Sequence, residues 1–304
     1  MLLGIEIGGT KLQIGLGDGA GQLIALRRAA VDAPQGRQGI QRQLLHEIPA
    51  LLVEQRLRPS DLQGIGVGFG GPVDDATQRV LKSHQVEGWD DYPLADWLQE
   101  QFGLPVTLGN DADVAGLAEA RFGAGNGLSP VFYVTVGSGI GGALILDGKI
   151  HRGCGQGAGE IGHLWVDYDL DAPELRPAPP AWSVLEHRSS GWAIAHALSR
   201  PRAEEVAEAA RQGDADAQTA LRRARRRLAL ALTHVIALCC PRRIVIGGGV
   251  SLLGENLFFA PLREEVGRMV FAPFADCYDI HPAALGEAVV VHGALALARL
   301  ATEK

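Results

Sequence analysis

The chain has 304 residues, 47% hydrophobic and 21% charged, and 28 Lys and Arg against 35 Asp and Glu give a formal charge of -7. That apolar content excludes a disordered chain, and 40 glycines without a repeat exclude a collagen. The acidic balance excludes a general nucleic-acid binder, which needs a basic footprint to neutralise phosphates.

The length suits one large domain or two smaller ones. Met1-Leu2-Leu3-Gly4-Ile5-Glu6 lacks the basic start of a secretory leader. Leu228 to Cys240 is the longest apolar stretch, but Thr233 and His234 interrupt it. It is too short to span a bilayer and is expected to be a buried helix. Cys154, Cys239, Cys240 and Cys277 form no C-x-x-C pair, so neither a disulfide framework nor a zinc ribbon is expected. A reducing cytoplasm and no membrane contact fit these features. Arg222 to Arg227 holds five arginines in six residues, which a helix would spread over a solvated surface.

Leu2 to Ile7, Leu12 to Leu16 and Gln22 to Arg28 are short apolar runs separated by Gly and Asp-Gly turns. Such punctuation predicts antiparallel strands joined by tight hairpins. From Gly39 to Gln55, Ile40, Leu44, Leu45, Ile48, Leu51 and Leu52 fall at helical spacing. Gly64 to Phe69 is a strand closed by Gly70-Gly71-Pro72, Leu94 to Phe102 a helix, Val106 to Leu108 a strand, and Asp111 to Phe122 a helix. The opening pattern then recurs, with strands at Val131 to Val136 and Ile140 to Leu146 and a third beginning at Lys149. Pro173 to Pro180 is a loop, because proline lacks a donor and blocks a helix. Arg243 to Ile246 is a strand ending in Gly247-Gly248-Gly249, with a helix after it. The recurrence favours two α/β domains of like topology over a single open sheet.

Gly8-Gly9-Thr10-Lys11, Gly137-Ser138-Gly139 and Gly247-Gly248-Gly249 each follow an apolar strand. Glycine lets a backbone approach a ligand and aim its N–H groups at an anion. Thr10 and Ser138 add hydroxyls, and Lys11 is a counter-charge for phosphate. Tight hairpins need glycine in any case, so it is the set of three that points to a nucleotide. The long P-loop motif is absent, and Gly137 to Gly142 leads into a strand rather than a helix, so neither a P-loop nor a Rossmann site is expected.

In this order the segments resemble the sugar kinases of the ROK family (repressor, open reading frame, kinase), within the actin-like superfamily. Ile5 to Lys11 is similar to the family's first phosphate loop, Gly68 to Asp74 to its Gly-Pro segment, and Leu108 to Ala112 to its catalytic Asn-Asp. Thr135 to Gly142 resembles the second phosphate loop, Gly159 to His163 the sugar-binding signature, Leu185-Glu186 with Gly191 the segment that follows, and Ile246 to Val250 the adenosine loop. The resemblance implies two actin-like, ribonuclease H-like α/β domains around a central cleft. The smaller is expected at 1–118, joined by a helix at about 293–304, and the larger at 119–292.

It also implies the site. Asp111 is the matching catalytic base, a carboxylate that takes the proton of a sugar hydroxyl as it attacks the γ-phosphate. Without the resemblance, Asp111 would be read as a helix cap. Gly71, Asn110, Asp111, Glu160, His163 and Glu186 match the substrate contacts. Carboxylates, an amide and an imidazole suit hydroxyls that both donate and accept. Gly8, Gly9, Thr10, Lys11, Gly137, Ser138, Gly139, Gly248 and Gly249 match the nucleotide-binding positions. ATP and Mg²⁺ are the implied cofactors, a small sugar and a nucleotide the partners, and a homodimer the assembly.

Three departures stand out. Glu6 replaces the usual Asp of the first loop and is the candidate Mg²⁺ residue, directly or through water. Gln85 stands where the family carries an Asn before Gly-Trp. No cysteine follows His163 until Cys239, so the family's zinc lacks its ligands and no zinc is expected. A family repressor would need a DNA-binding segment ahead of the first loop, and only three residues precede Gly4. The expected activity is therefore a hexose kinase acting first on glucose. The alternatives are fructose, mannose, allose, N-acetylglucosamine or N-acetylmannosamine as substrate, polyphosphate as donor, or a sugar sensor without catalysis.

Overall fold

The computed structural model describes residues 1–83, 85–155, 157–167 and 183–303. The loop expected at 173–180 lies outside them. Strands β1 (Leu2–Ile7), β2 (Lys11–Gly17) and β3 (Leu23–Ala30) lead to helix α1 (Gly36–Glu54) and strand β4 (Gly64–Phe69). Short strands β5 (Val73–Asp74) and β6 (Arg79–Val80) precede α2 (Leu94–Phe102), β7 (Val106–Asn110) and α3 (Asp111–Phe122). Next come β8 (Val131–Val136), β9 (Ile140–Leu146), β10 (Lys149–Ile150), α4 (Glu186–Ser189), α5 (Gly191–His196), α6 (Ala203–Arg211) and α7 (Ala215–Cys239). Strand β11 (Arg243–Gly247), α8 (Ala260–Met269), β12 (Asp279–Pro282) and α9 (Val289–Thr302) follow.

Two compact units result. The first takes Met1–Gly127, Gly148–Ala158 and Ala284–Lys304, and the second takes Leu128–Asp147 and Gly159–Ala283. The first unit thus keeps all of α3, inside which residue 118 falls, and α9 belongs to it.

In the first unit the sheet runs β3-β2-β1-β4-β7, antiparallel across β1, β2 and β3 and parallel across β1, β4 and β7. Strand β1 is central and buried along its whole length, whereas β3 at the edge is buried nowhere. That explains why one is nearly all apolar and the other carries Arg27 and Arg28. Leu3, Ile5 and Ile7 share a core with Ile40, Leu44 and Ile48 of α1, and each such side chain contributes about 1.5–3 kcal/mol.

Helix α9 packs across β1 and β4 and against α3. It comes so close that a Cβ on Gly66 would overlap the Ala294 carbonyl, and one on Gly293 the Val114 carbonyl. Gly293→Ala is therefore expected to cost about 1–3 kcal/mol, because the opposing group is backbone and cannot move aside. Urea denaturation measures it, and a midpoint equal to wild type would disprove the tight contact.

In the second unit β8 pairs antiparallel with β9 and parallel with β11, which pairs parallel with β12. Phe132, Val134, Ile244 and Ile246 from the sheet meet Leu228, Leu232 and Ile236 of α7 and Leu262 of α8. The helix α7 is longer than Leu228 to Cys240 suggests, starting at Ala215, and Leu238 near its end is 84% exposed rather than buried. Within Arg222 to Arg227, Arg222, Arg223 and Arg226 are exposed as expected, but two partners are not. Arg225 packs beside Glu265 at 3.8 Å, and Arg227 pairs with Asp167 at 2.9 Å. Burial lowers the Arg225 guanidinium and raises the Glu265 carboxyl from their ordinary values. The residues after Gly249 form a 3-10 turn, Gly249–Leu253, before the chain reaches α8. The four cysteines are thiols. No helix among the described residues is long and apolar enough to cross a membrane.

Candidate active site

Three parallel strands of the first unit end side by side, with Ile7 opposite Phe69 and Phe69 opposite Asn110. The residues just beyond are Gly8-Gly9, Gly70-Gly71 and Asp111. Ligands of α/β folds bind outside such carboxyl ends. The Gly70 N–H donates to the Ile7 carbonyl at 2.8 Å, locking two of the ends together.

Asn110 is both the last residue of β7 and the cap of α3. Its Oδ1 accepts from the N–H groups of Ala112 at 2.9 Å and Asp113 at 3.3 Å, and its Nδ2 donates to the Gly71 carbonyl at 3.0 Å. The capping duty that sequence alone offered to Asp111 therefore rests on Asn110. Asp111 is the first helical residue, with Oδ1 accepting from the Ala112 N–H at 2.8 Å. Its Oδ2 faces Gly70, where an added Cβ would sit 3.6 Å away.

The first glycine loop is a tight hairpin, with the Gly8 N–H donating to the Lys11 carbonyl at 2.9 Å. Thr10 is exposed, and its carbonyl accepts from the Val31 N–H at 3.0 Å. Lys11 Nζ sits 3.0 Å from Glu6 Oε1. Gln13 Nε2 donates to Glu6 Oε2 at 2.5 Å and to the Glu287 carbonyl at 2.9 Å, and Gln13 Oε1 accepts from Arg28 Nε at 3.0 Å. Burial raises the Glu6 carboxyl above the ordinary glutamate value, and the Lys11 charge opposes that rise. The side chain of Gln85 lies against Gly9, filling the space a Cβ would need.

In the second unit the turn Gly137-Ser138-Gly139 joins β8 to β9, closed by the Gly137 N–H on the Gly139 carbonyl at 2.9 Å. Glu186 covers it: Oε2 accepts from the Ile140 N–H at 2.8 Å, and a Cβ on Gly139 would strike the carboxylate. The Gly191 N–H donates to the Gly137 carbonyl at 2.7 Å, so the loop is pinned from α4 and α5. Opposite Thr135, Gly247 ends β11, which brings Gly248 and Gly249 beside the end of β8. The Gly248 carbonyl accepts from the N–H and the Oγ of Ser251 at 3.1 and 2.7 Å.

Glu160 caps and His163 ends a 3-10 turn, Ile161–His163, tied by the His163 N–H on the Glu160 carbonyl at 3.1 Å. With three residues per turn, positions three apart share a face. Both side chains keep solvent exposure. Crowding by the surrounding protein nevertheless raises the Glu160 carboxyl; the Glu186 charge adds to the rise and His163 opposes it. A raised carboxyl binds a proton more readily folded than unfolded, so ionisation costs stability as pH climbs from about 4.5 through the folded value. Glu160→Gln is therefore expected to melt higher than wild type at pH 7, with the gain shrinking toward pH 4.5. Melting curves across that range check it, and a lower Tm at pH 7 would contradict it.

The first unit thus gathers Glu6, Gly8, Gly9, Thr10, Lys11, Gly71, Asn110 and Asp111 at one group of strand ends. The second gathers Gly137, Ser138, Gly139, Glu186, Gly248 and Gly249 around the ends of β8 and β11, with Glu160 and His163 on their own turn. Sequence reasoning missed Gln13 and Glu287. The first is fully buried under Glu6, and only its polarity inside an apolar strand hinted at a role.

Residues 2–301 match the sequence profile of the ROK family. A glucokinase of Halalkalibacterium halodurans is 30% identical over 309 residues, spanning 96% of this chain and 92% of the relative. The ROK hexokinase structure from Thermus thermophilus covers 99% of both chains at 28% identity with a TM-score of 0.83. A ROK family glucokinase from Streptomyces griseus, solved with glucose and AMPPNP, gives 0.78 at 30% identity over 98% of this chain and 99% of that one. Both units therefore have the actin-like α/β fold. With its sequence matched from β1 to α9 and its fold matched end to end, the chain belongs to the ROK family.

Proposed function

We propose that the chain is an ATP-dependent sugar kinase that phosphorylates a hexose hydroxyl, with glucose converted to glucose 6-phosphate. The observation that carries this reading is Asp111 at the strand ends, with the capping of α3 assigned to Asn110. The likeness to glucokinases supports it.

In this reading Asp111 accepts the proton of the attacking hydroxyl as the new O–P bond forms and the bond to the leaving diphosphate breaks. A carboxylate is ionised at neutral pH and suits that step. Glu160, His163, Glu186 and Asn110 orient the sugar through its other hydroxyls. The three glycine loops offer backbone N–H groups to the nucleotide, and Lys11 and Thr10 add side-chain donors.

Glu6 suits the hard Mg²⁺ ion that accompanies ATP. Each carboxylate oxygen has one donor and retains lone-pair capacity, and the Glu287 charge adds to the negative potential there. Glu6 would hold the ion through its waters; when bound, Mg²⁺ neutralises phosphate charge. Gln85 against Gly9 occupies the place of the usual Asn and shapes the approach to the first loop. The resemblance further supports a homodimer in the cytoplasm.

Coupled ADP release against hexoses and N-acetylhexosamines tests the reading. Glucose is expected to stimulate release most. If another sugar does, the substrate changes and the kinase stands. If sugars bind without turnover under ATP or polyphosphate, a sensor replaces it.

A further inference from the structure

Strand β2 carries a fully buried polar side chain, Gln13, between the apolar Leu12 and Ile14. An amide buried there costs free energy unless its hydrogens and its oxygen are engaged, and here all are. Gln13 stands directly across from Glu6 in the β1–β2 register. Its Nε2 gives one hydrogen to Glu6 Oε2 at 2.5 Å and the other to the Glu287 carbonyl at 2.9 Å, while Oε1 accepts from Arg28 Nε at 3.0 Å. Turned over, the amide would set its oxygen against a carboxylate and a carbonyl, and its NH₂ against a guanidinium. The network therefore fixes one orientation.

The anchor behind Gln13 is itself held. Glu287 lies in a 3-10 turn, Gly286–Ala288, just ahead of α9. The N–H groups of Ala284 and Leu285, which lead into that turn, donate to the buried Glu119 carboxylate at 2.9 and 2.8 Å. The Glu287 carbonyl also receives Lys11 Nζ at 3.5 Å.

Glu6 thus has two donors of different character. Lys11 Nζ stands 3.0 Å from Oε1, and its side chain keeps 40% of its surface in solvent. An ammonium on a flexible stem can turn to a phosphate. Gln13 has no exposed surface and three hydrogen bonds, so it stays where it is. It is also neutral, and adds no positive charge beside a carboxylate that serves a cation. Glutamate has one more rotatable bond than aspartate and more freedom to lose, which gives a fixed donor on one oxygen a purpose.

We infer that Gln13 is a positioning residue for Glu6. It holds Oε2 in place while Lys11 exchanges Oε1 for the nucleotide phosphates, which frees Oε1 for the waters of Mg²⁺. The inference rests on the proposed kinase reading, in which Glu6 serves Mg²⁺ and Lys11 serves phosphate.

Calorimetric titration of the full chain with AMPPNP tests it, once in excess Mg²⁺ and once in EDTA. Gln13→Met is expected to weaken binding in Mg²⁺ about tenfold or more and to leave binding in EDTA unchanged. Placed on top of Glu6→Gln, it is expected to add no further loss in Mg²⁺, because it acts through Glu6. Equal affinities for Gln13→Met and wild type in Mg²⁺ would overturn the inference. So would a loss of the same size in EDTA, or one that persists beside Glu6→Gln, since a purely structural role predicts both. Arg28→Met, at an exposed position of the edge strand, serves if Gln13→Met does not fold. Releasing the amide oxygen is expected to weaken binding in Mg²⁺ severalfold, and no change would overturn the role. If wild type binds AMPPNP equally with and without Mg²⁺, the assignment of Glu6 to Mg²⁺ falls and the role of Gln13 falls with it. If wild type and Gln13→Met depend on Mg²⁺ alike, the kinase reading stands and this inference alone fails.

Discussion

Asp111→Asn is expected to lower kcat for sugar-stimulated ADP release by about 10²–10⁴-fold, the range lost when a positioned general base is removed. The substitution is close to isosteric. Its amide oxygen can still accept from the Ala112 N–H, now held at 2.8 Å, and Asn110 still caps α3. Folding and sugar affinity are therefore expected to stay near wild type, and the loss falls on the chemical step. Steady-state kinetics beside a binding titration separate the two. A mutant retaining more than a tenth of wild-type kcat would remove Asp111 from the role of base. Parallel loss of binding and stability would make it a structural residue.

The largest expected stability change comes from Glu119, outside the three glycine loops of the candidate site. Its side chain is wholly buried on α3. Oε1 accepts from the N–H groups of Ala284 at 2.9 Å and Leu285 at 2.8 Å, and Oε2 from that of Ala124 at 2.8 Å. One carboxylate thereby holds the chain leaving α3 and the chain approaching α9. Glu119→Ala strands three backbone donors at about 1–3 kcal/mol each, so a loss of about 3–5 kcal/mol is expected. Glu119→Gln keeps the volume but turns an NH₂ toward one of those donors, and is expected to be destabilised in the same direction. Neighbouring His292 reports on the site as well: burial lowers its pKa, with the Glu119 charge opposing. Urea and thermal denaturation measure the loss, and a cost below about 1 kcal/mol for Glu119→Ala would show that water replaces the carboxylate.

Local patterns were legible in the sequence because their causes are local. Alternation and apolar runs placed β1, β2, β4, β8 and β9, and helical spacing placed α1, α2 and α3. Glycine turns placed the loops, and their order carried the resemblance to the ROK family. Partners brought together by folding were not legible. Nothing near Gln13 announces Glu287, and nothing near Glu119 announces Ala284 and Leu285, since each contact joins segments more than 160 residues apart. The division of labour between Asn110 and Asp111 was equally hidden, because both residue types cap helices. It took the positions of Ala112, Asp113 and Gly71 to assign the cap. Arginine spacing on α7 gave exposure for Arg223 but not the carboxylates that meet Arg225 and Arg227, which come from elsewhere in the unit.

The path of the chain sets the order in which the protein is finished during translation. The second unit is complete once Ala283 has been made, whereas the first still lacks α9 at that moment. The Glu119 carboxylate waits for its last two donors until Ala284 and Leu285 emerge from the ribosome, and β1 and β4 lack the packing of Val291 and Ala294 until α9 follows them. Domains usually mature from the N-terminus as they are synthesised. Here the unit that is begun first is closed last, and a nascent chain stalled anywhere before α9 exposes an apolar sheet face to chaperones and proteases.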